Sequence, residues 1–279
     1  FLFAAAQEKP GLSEGDLKSH TYYFEIVDGV PTGDGADFLK SEFSKNQFVL
    51  LGEYHGSYQI SKFTTAMIPL LHDAGFRNFA LEVGPVSAEI LTEFSSLPRE
   101  TAKNLNRFNT SFLMESKGRA YTPIPFFGDL EDAEFLTAAA ERKWKLFGLD
   151  QEFSFGYSAL LQRAFDNLSA KQQVTLRSSF EKAKSELVQL YIDDEKPNAN
   201  IYRAILDSTA INSFLKDASR LNPKNKTITE EIRISAEVYD LNRVRRWYEA
   251  NKKRIDLMKR NLSASMTRLK LDTKKDKVL

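Results

Sequence analysis

The stretch Gln47-Phe48-Val49-Leu50-Leu51-Gly52-Glu53-Tyr54-His55-Gly56 determines how the rest of the chain is interpreted. The apolar run over 47–51 is typical of a short strand covered on both faces, as in parallel sheets. Residues 58–74 then carry apolar side chains with a helical period and close on Ala74-Gly75. The stretch therefore predicts a buried strand that leads into a helix, with polar side chains at the turn between them.

The same order is repeated twice along the chain. Phe79-Ala80-Leu81 precedes Glu82 and a helix that Pro85 can open, and a helix over 129–142 precedes a strand over 145–149 that ends at Asp150. Alternating strands and helices favour a parallel sheet with right-handed crossovers. We therefore predict an α/β fold, a mostly parallel sheet flanked by helices. Residues 95–128 are expected to be irregular, with Pro123-Ile124-Pro125 in a loop over the site.

The second half of the chain reads as helical from residue 156 onward. Helices are predicted over 157–168, 171–191, 199–221 and 229–266, with no strand pattern between them. The predicted organisation is a tail over 1–18, a sheet core over 19–155, a large helical insertion or cap over 156–240, and a long basic helix over 241–279. Lys277-Val278-Leu279 is expected to open another strand, and the chain to stop before that last strand is complete.

Composition and charge exclude several classes of protein. No run approaches the roughly 18 apolar residues of a membrane span, and the absence of Cys excludes disulfides and thiolate metal sites. Residues 243–279 hold 13 Lys/Arg against 4 Asp/Glu, but no nucleic-acid motif accompanies them, so we interpret them as a solvated helix face. The opening Phe1-Leu2-Phe3-Ala4-Ala5-Ala6 is typical of the end of a secretory signal and predicts a periplasmic or secreted bacterial protein.

Acidic residues and one histidine follow the predicted strands at their carboxyl ends. These ends meet at one edge of a parallel sheet, where ligands bind. A carboxylate beside His55 would hold its tautomer and allow it to act as a general base on water. The alternative is structural, since acids such as Glu82, Asp150 or Glu152 can cap the helices that follow.

The residues Gly52-Glu53-Tyr54-His55-Gly56-Ser57 and Glu82-Val83-Gly84 resemble the start of the erythromycin esterase and ChaN-like superfamily. The Glu-x-His spacing is closer to the haem-binding ChaN-like branch, whereas Gly56-Ser57 is similar to the esterases. Gln59 stands where the esterases tend to have an acid. The helix with Arg254, Met258 and Asn261 resembles the arginine-bearing helix that precedes a final strand in that superfamily.

The resemblance implies a hydrolase of ester, lactone or amide bonds that acts on a small molecule without a metal or other cofactor. His55 would be the base, Glu53 and Glu82 its orienting or proton-relay groups, and Arg254 the group that binds an anion or developing oxyanion. Asp150, Gln59 and Tyr54 are expected to contact the substrate. The chain departs from the esterases in lacking a second histidine on a late strand, since no His follows residue 72.

Two alternatives remain open at this point. One is a haem- or iron-binding protein like the ChaN branch, with Tyr54 or His55 as axial ligand. The other is a metal-dependent peptidase similar to the more distant Tiki relatives, with Glu53, His55 and Asp150 around a divalent ion. One histidine with several carboxylates would suit Mn or Mg better than zinc.

Overall fold

The structure is a computed structural model that describes residue 11 and residues 13–52, 54, 56–116, 118–194, 196 and 198–279. Its helices are α1 (Glu14–Ser19), α2 (Asp34–Lys45), α3 (Tyr58–Asp73), α4 (Pro85–Ser95), α5 (Thr101–Phe112), α6 (Leu130–Glu141), α7 (Tyr157–Asp166), α8 (Ala170–Asp193), α9 (Ile201–Asp207), α10 (Thr209–Leu221), α11 (Asn225–Arg243) and α12 (Trp247–Leu269). Its strands are β1 (Glu25–Val27), β2 (Val30–Thr32), β3 (Phe76–Leu81), β4 (Met114–Ser116), β5 (Arg119–Tyr121), β6 (Lys145–Gly148) and β7 (Lys277–Val278).

A small parallel sheet lies at the centre of the fold. β3 is its middle strand and pairs in parallel with β6 on one side and β7 on the other. A long connection that contains α4, α5, the β4–β5 pair and α6 separates β3 from β6 along the chain, as a parallel pairing requires. The α/β prediction is confirmed at this level, and so is the strand expected at Lys277.

The predicted buried strand over 47–51 is wrong. Phe48 forms a single parallel bridge to Val278, and Leu50 is 91% exposed. The backbone hydrogen bonds on this side end with Val49, whose N–H donates to the Val278 carbonyl at 3.1 Å. The apolar run therefore has no ladder beyond its first residues. Phe48, Leu50 and Leu51 are exposed, whereas Val49 packs against the core.

Helices α3, α4 and α6 pack against the sheet and enclose its core. α4 begins at Pro85, where a fixed φ and a missing N–H cost the helix nothing. α6 begins with a capping box in which Asp132 also accepts the Ser61 hydroxyl of α3 at 2.6 Å. Burial raises the pKa of Asp132. The largest fully buried side chains around the sheet are Phe76, Phe147, Ile68, Leu71, Leu91 and Leu136.

The connection over 95–128 is more regular than predicted. It contains α5 and the antiparallel hairpin β4–β5. Pro123–Pro125 lies in a loop between β5 and α6, as predicted, but Ile124 is buried in the core; whether this loop lies over the site stays a prediction. An amphipathic helix such as α5 can be recognised by its period, but its Asn- and Thr-rich sequence hides that signal.

Helices α7 to α11 follow one another with no strand between them in the described residues, and they pack mainly on each other. The single helix predicted over 229–266 is wrong, because a sharp turn at 244–246 separates α11 from α12. Another break at Ser208 divides the helix predicted over 199–221. Whether α7–α11 cover the site as a cap stays a prediction, as do the domain boundaries.

In the described part of the chain, no helix has both the length and the apolar character needed to cross a bilayer. The proposed signal remnant over 1–6 lies outside the described residues. The periplasmic or secreted location therefore stays a prediction.

Candidate active site

The carboxyl ends of β3 and β6 place two acids side by side. The backbone pairing continues past both strands, since Leu149 donates to the Leu81 carbonyl and Asp150 to the Val83 carbonyl, each at 3.0 Å. Glu82 and Asp150 follow these paired strand ends and therefore lie at the same edge of the sheet. This is the edge at which α/β proteins bind ligands.

Arg254 of α12 joins the two acids. Its Nε donates to Asp150 Oδ1 at 2.8 Å, and its Nη2 donates to Glu82 Oε1 at 2.5 Å and to Asp150 Oδ2. Asp150 is only 6% exposed, whereas the Arg254 side chain is 36% exposed. The hydrogen bonds to Asp150 raise the pKa of Arg254 most. The negative charge of Asp150, and the hydrogen bond and charge of Glu82, raise it further, so the guanidinium is always charged. We refer to Glu82, Asp150 and Arg254 as the strand-edge cluster.

Two polar atoms of the strand-edge cluster make no hydrogen bond with the described residues. Among the described residues, neither Arg254 Nη1 nor Glu82 Oε2 has a hydrogen-bond partner. Both residues are partly exposed. One donor group and one acceptor oxygen are therefore available at this edge for a substrate, a water molecule or a neighbouring side chain.

A second residue of α12 fixes the loop that carries Asp150. The Asn261 amide donates from Nδ2 to the Leu149 carbonyl at 3.0 Å and to the Asp150 carbonyl at 3.3 Å. Asn261 and Arg254 are seven residues apart and so lie on one face of the helix, two turns from each other. One helix face thus holds both the backbone and the side chain of Asp150.

Glu152 lies buried beneath the cluster and caps a helix from another part of the chain. Its Oε1 accepts the Val86 N–H at 2.7 Å and the Ser87 N–H at 3.3 Å, and its Oε2 accepts the Ser87 hydroxyl at 2.6 Å. These are the orphan donors of the first turn of α4. Burial raises the pKa of Glu152 to about 7, although the three hydrogen bonds act in the opposite direction. The structural interpretation of an acidic cap therefore applies to Glu152.

Glu231 of α11 is a second buried carboxyl in this region. Its Oε1 accepts from Arg260 Nη2 at 2.7 Å, while its buried Oε2 has no hydrogen-bond partner among the described residues. Burial first, and then the charge of Glu152, raise the pKa of Glu231 to about 7. Both carboxyls therefore change charge close to neutral pH.

Neither Glu231 nor Arg260 stands out in the sequence as a candidate site residue. Their neighbourhood is strongly charged, which is typical of a solvated surface. The available signal is positional: Glu231 is three residues after Ile228 and four before Ser235, on the buried stripe of its helix. An acid on such a stripe has to find a partner, and Arg260 is that partner.

The remaining predicted site residues are either outside the described part of the chain or exposed on its surface. Glu53 and His55 lie outside the described residues. Tyr54 is 81% exposed, and Gln59 is exposed at the start of α3, where its Oε1 accepts the Ser57 hydroxyl at 2.8 Å. No hydrogen bond of the described chain joins Tyr54 or Gln59 to the strand-edge cluster.

No group of three His, Cys, Asp or Glu side chains suited to a metal ion occurs within the part of the chain that the structure describes. Two of the residues that the peptidase interpretation requires, Glu53 and His55, are not in that part. The haem and divalent-metal interpretations therefore stay predictions.

No family model and no curated protein matches the sequence. Among solved structures, the chain is similar to a mutant of the erythromycin esterase EreC in its open conformation, with 16% identity and a TM-score of 0.50. The alignment covers 88% of this chain and 63% of the esterase chain. At this identity the similarity concerns the fold alone. It supports the fold that the resemblance implies and gives no support to the ChaN-like branch.

Proposed function

We propose that the protein is a hydrolase that activates water to cleave an ester, lactone or amide bond of a small molecule at the strand-edge cluster. The observation that carries the proposal is the partly exposed guanidinium of Arg254, held by two carboxylates at the carboxyl edge of a parallel sheet. A fixed cation with an unused N–H group is suited to a developing oxyanion, because it needs no reorganisation during the reaction.

In the proposed reaction, His55 removes a proton from water while the water oxygen attacks the carbonyl carbon. The negative charge that develops on the carbonyl oxygen is stabilised by Arg254 Nη1. When the tetrahedral intermediate collapses, the bond to the leaving oxygen or nitrogen breaks and His55 returns its proton to that atom. The products are a carboxylic acid and an alcohol or amine, or a single hydroxy acid when the substrate is a lactone.

The acids support this sequence in different ways. Asp150 holds Arg254 through two parallel hydrogen bonds, the geometry that fixes a guanidinium most firmly. Glu82 uses Oε1 for Arg254, which leaves Oε2 to orient the imidazole of His55 together with Glu53. Tyr54, next to His55 in sequence, and Gln59, at the start of α3, are proposed to contact the substrate.

The experiment that tests the proposal measures hydrolysis of a panel of aryl esters and lactones. Wild type is compared with His55→Ala and with His20→Ala, a matched control in which an exposed histidine far along the chain from the site is removed. We expect turnover by wild type and His20→Ala and its loss in His55→Ala with an unchanged circular dichroism spectrum. Equal turnover in His55→Ala, or no turnover by folded wild type, would contradict the proposal. In the second case, a Soret band on addition of haem would support the binding-protein alternative.

A further inference from the structure

The first turns of α12 extend past the edge of the sheet. Lys145, at the start of β6, donates from Nζ to the Leu269 carbonyl at the end of α12, and Asn261 bonds to the backbone just after β6. The helix therefore runs antiparallel to β6. Arg254 lies at the carboxyl edge of the sheet, and the residues before it continue outward beyond that edge.

Trp247 lies on this outward extension, on the same face as Arg254. The two are seven residues apart, which is two helical turns or about 10 Å along the axis. Trp247 is 61% exposed, whereas the other tryptophan of the chain, Trp144, is buried and donates from Nε1 to His72. A large indole is thus presented to solvent in line with the guanidinium of the site.

The turn before Trp247 is tightly built. Arg246 donates to the Leu241 carbonyl at 2.9 Å and Arg245 to the Asn242 carbonyl at 3.0 Å, the two hydrogen bonds of a Schellman motif. Arg245 takes a φ of 62°, a left-handed conformation that favours glycine. The backbone is therefore strained at Arg245, two residues before α12 begins at Trp247.

Other large apolar side chains near Trp247 are also exposed to solvent. Val244, Tyr248 and Ile255 are also exposed around the start of α12. Single exposed apolar residues are normal on a protein surface, but several of them near one another, beside the charged strand-edge cluster, are typical of a binding surface. Of this group, Trp247 is the one on the face that carries Arg254.

We infer that Trp247 is a specificity-determining residue whose indole binds an apolar, aromatic or cyclic part of the substrate. The substrates would then be esters or lactones with such a group about 10 Å from the reacting carbonyl. This inference rests on the proposed function, because it takes Arg254 as the group nearest the reacting carbonyl. The flat indole supplies a large contact area that loses little conformational freedom on binding.

The test measures binding of two stable phosphonates by isothermal titration calorimetry. Methylphosphonate presents only the anionic group, as a mimic of the oxyanion for Arg254. The second phosphonate carries a naphthyl group on a chain that spans about 10 Å, the separation of the two helix positions. We expect the naphthyl compound to bind wild type about tenfold more tightly than methylphosphonate, as one aromatic contact allows.

Two variants of Trp247 test the contribution of the indole, and a variant of Tyr248 serves as the control. Trp247→Ala should bind the two phosphonates equally, Trp247→Phe should keep most of the difference, and Tyr248→Ala should keep all of it, because Tyr248 lies on another face of the helix. In turnover, Trp247→Ala should raise KM for naphthyl esters and leave kcat, and KM for short acetates, unchanged.

The outcomes separate this inference from the proposed function. Failure of the naphthyl phosphonate to bind, or a preference that survives in Trp247→Ala, would overturn the inference even if esters are hydrolysed. A preference that depends on Trp247 in a protein that hydrolyses no ester would refute the proposed function and leave an apolar-anion binding site.

Discussion

Replacing Glu152 with glutamine should change how the stability of the protein depends on pH. Glu152 is fully buried and has a pKa of about 7 instead of 4.5. Glutamine has nearly the same shape, and it can accept the Val86 N–H with Oε1 while its Nε2 donates to the Ser87 hydroxyl. The substitution thus removes the titration and keeps the contacts.

The sign and size of the effect follow from the raised pKa. The folded protein holds the Glu152 proton more tightly than the unfolded chain, so the contribution of Glu152 to stability is fully present below pH 4.5 and is lost as pH rises to about 7. At 1.36 kcal/mol per pH unit, the complete loss amounts to about 3 kcal/mol. Glu152→Gln does not lose this stability, because glutamine does not ionise.

The measurement is urea unfolding of both proteins, followed by circular dichroism, at about pH 5 and about pH 8, on either side of most of the transition. Near the lower pH the two proteins should be similarly stable. Near the higher pH, Glu152→Gln should be more stable by about 2 to 3 kcal/mol. Because the charge of Glu152 also contributes to the raised pKa of Glu231, Glu152→Gln should lower that second pKa as well, which adds to the gain in the same direction. The same difference in stability at both pH values would refute the reasoning.

Three further predictions concern other parts of the fold. Arg254→Met should lower the free energy of unfolding by about 3 kcal/mol, because buried Asp150 loses its cation; an unchanged urea midpoint would contradict the ion pair. Arg245→Gly should raise the thermal midpoint, with a gain of about 1 kcal/mol from relief of the left-handed residue, and a lower midpoint would argue against strain there. Gly148→Ala should lower the free energy of unfolding by about 3 kcal/mol, since an added Cβ would overlap the Gly84 backbone. Wild-type stability in urea would contradict the close contact between Gly148 and Gly84.

The sequence predicted the elements whose signal is local. The helical period over 58–74 corresponds to α3, and the strand predicted over 145–149 corresponds to β6, which is one residue shorter. The run over 47–51 carries an equally strong signal but pairs only through Phe48, because pairing depends on a partner strand far away in sequence. Local patterns thus indicate which segments can form strands, but not which of them have a neighbour to pair with.

The same limit applies to the candidate site. Acids after predicted strands suggested one edge of the sheet, and the structure brings Glu82, Asp150 and Arg254 together there. The turn before α12 could not be predicted, because arginine occupies the position where glycine would announce a helix end. The buried Glu231 was hidden for a similar reason, since acids in a charged helical sequence are normally exposed.

In the proposed mechanism, Arg254 stabilises the charge that develops during hydrolysis. This role is tested by kcat/KM for an aryl ester with wild type, Arg254→Lys and Arg203→Lys. Arg203 is the matched control, because it also pairs with a buried carboxylate, that of Asp240, but belongs to α9. We predict a loss of about 100-fold in Arg254→Lys, which keeps the charge but loses the planar fork, and wild-type activity in Arg203→Lys. Wild-type kcat/KM in a folded Arg254→Lys protein would contradict the claim.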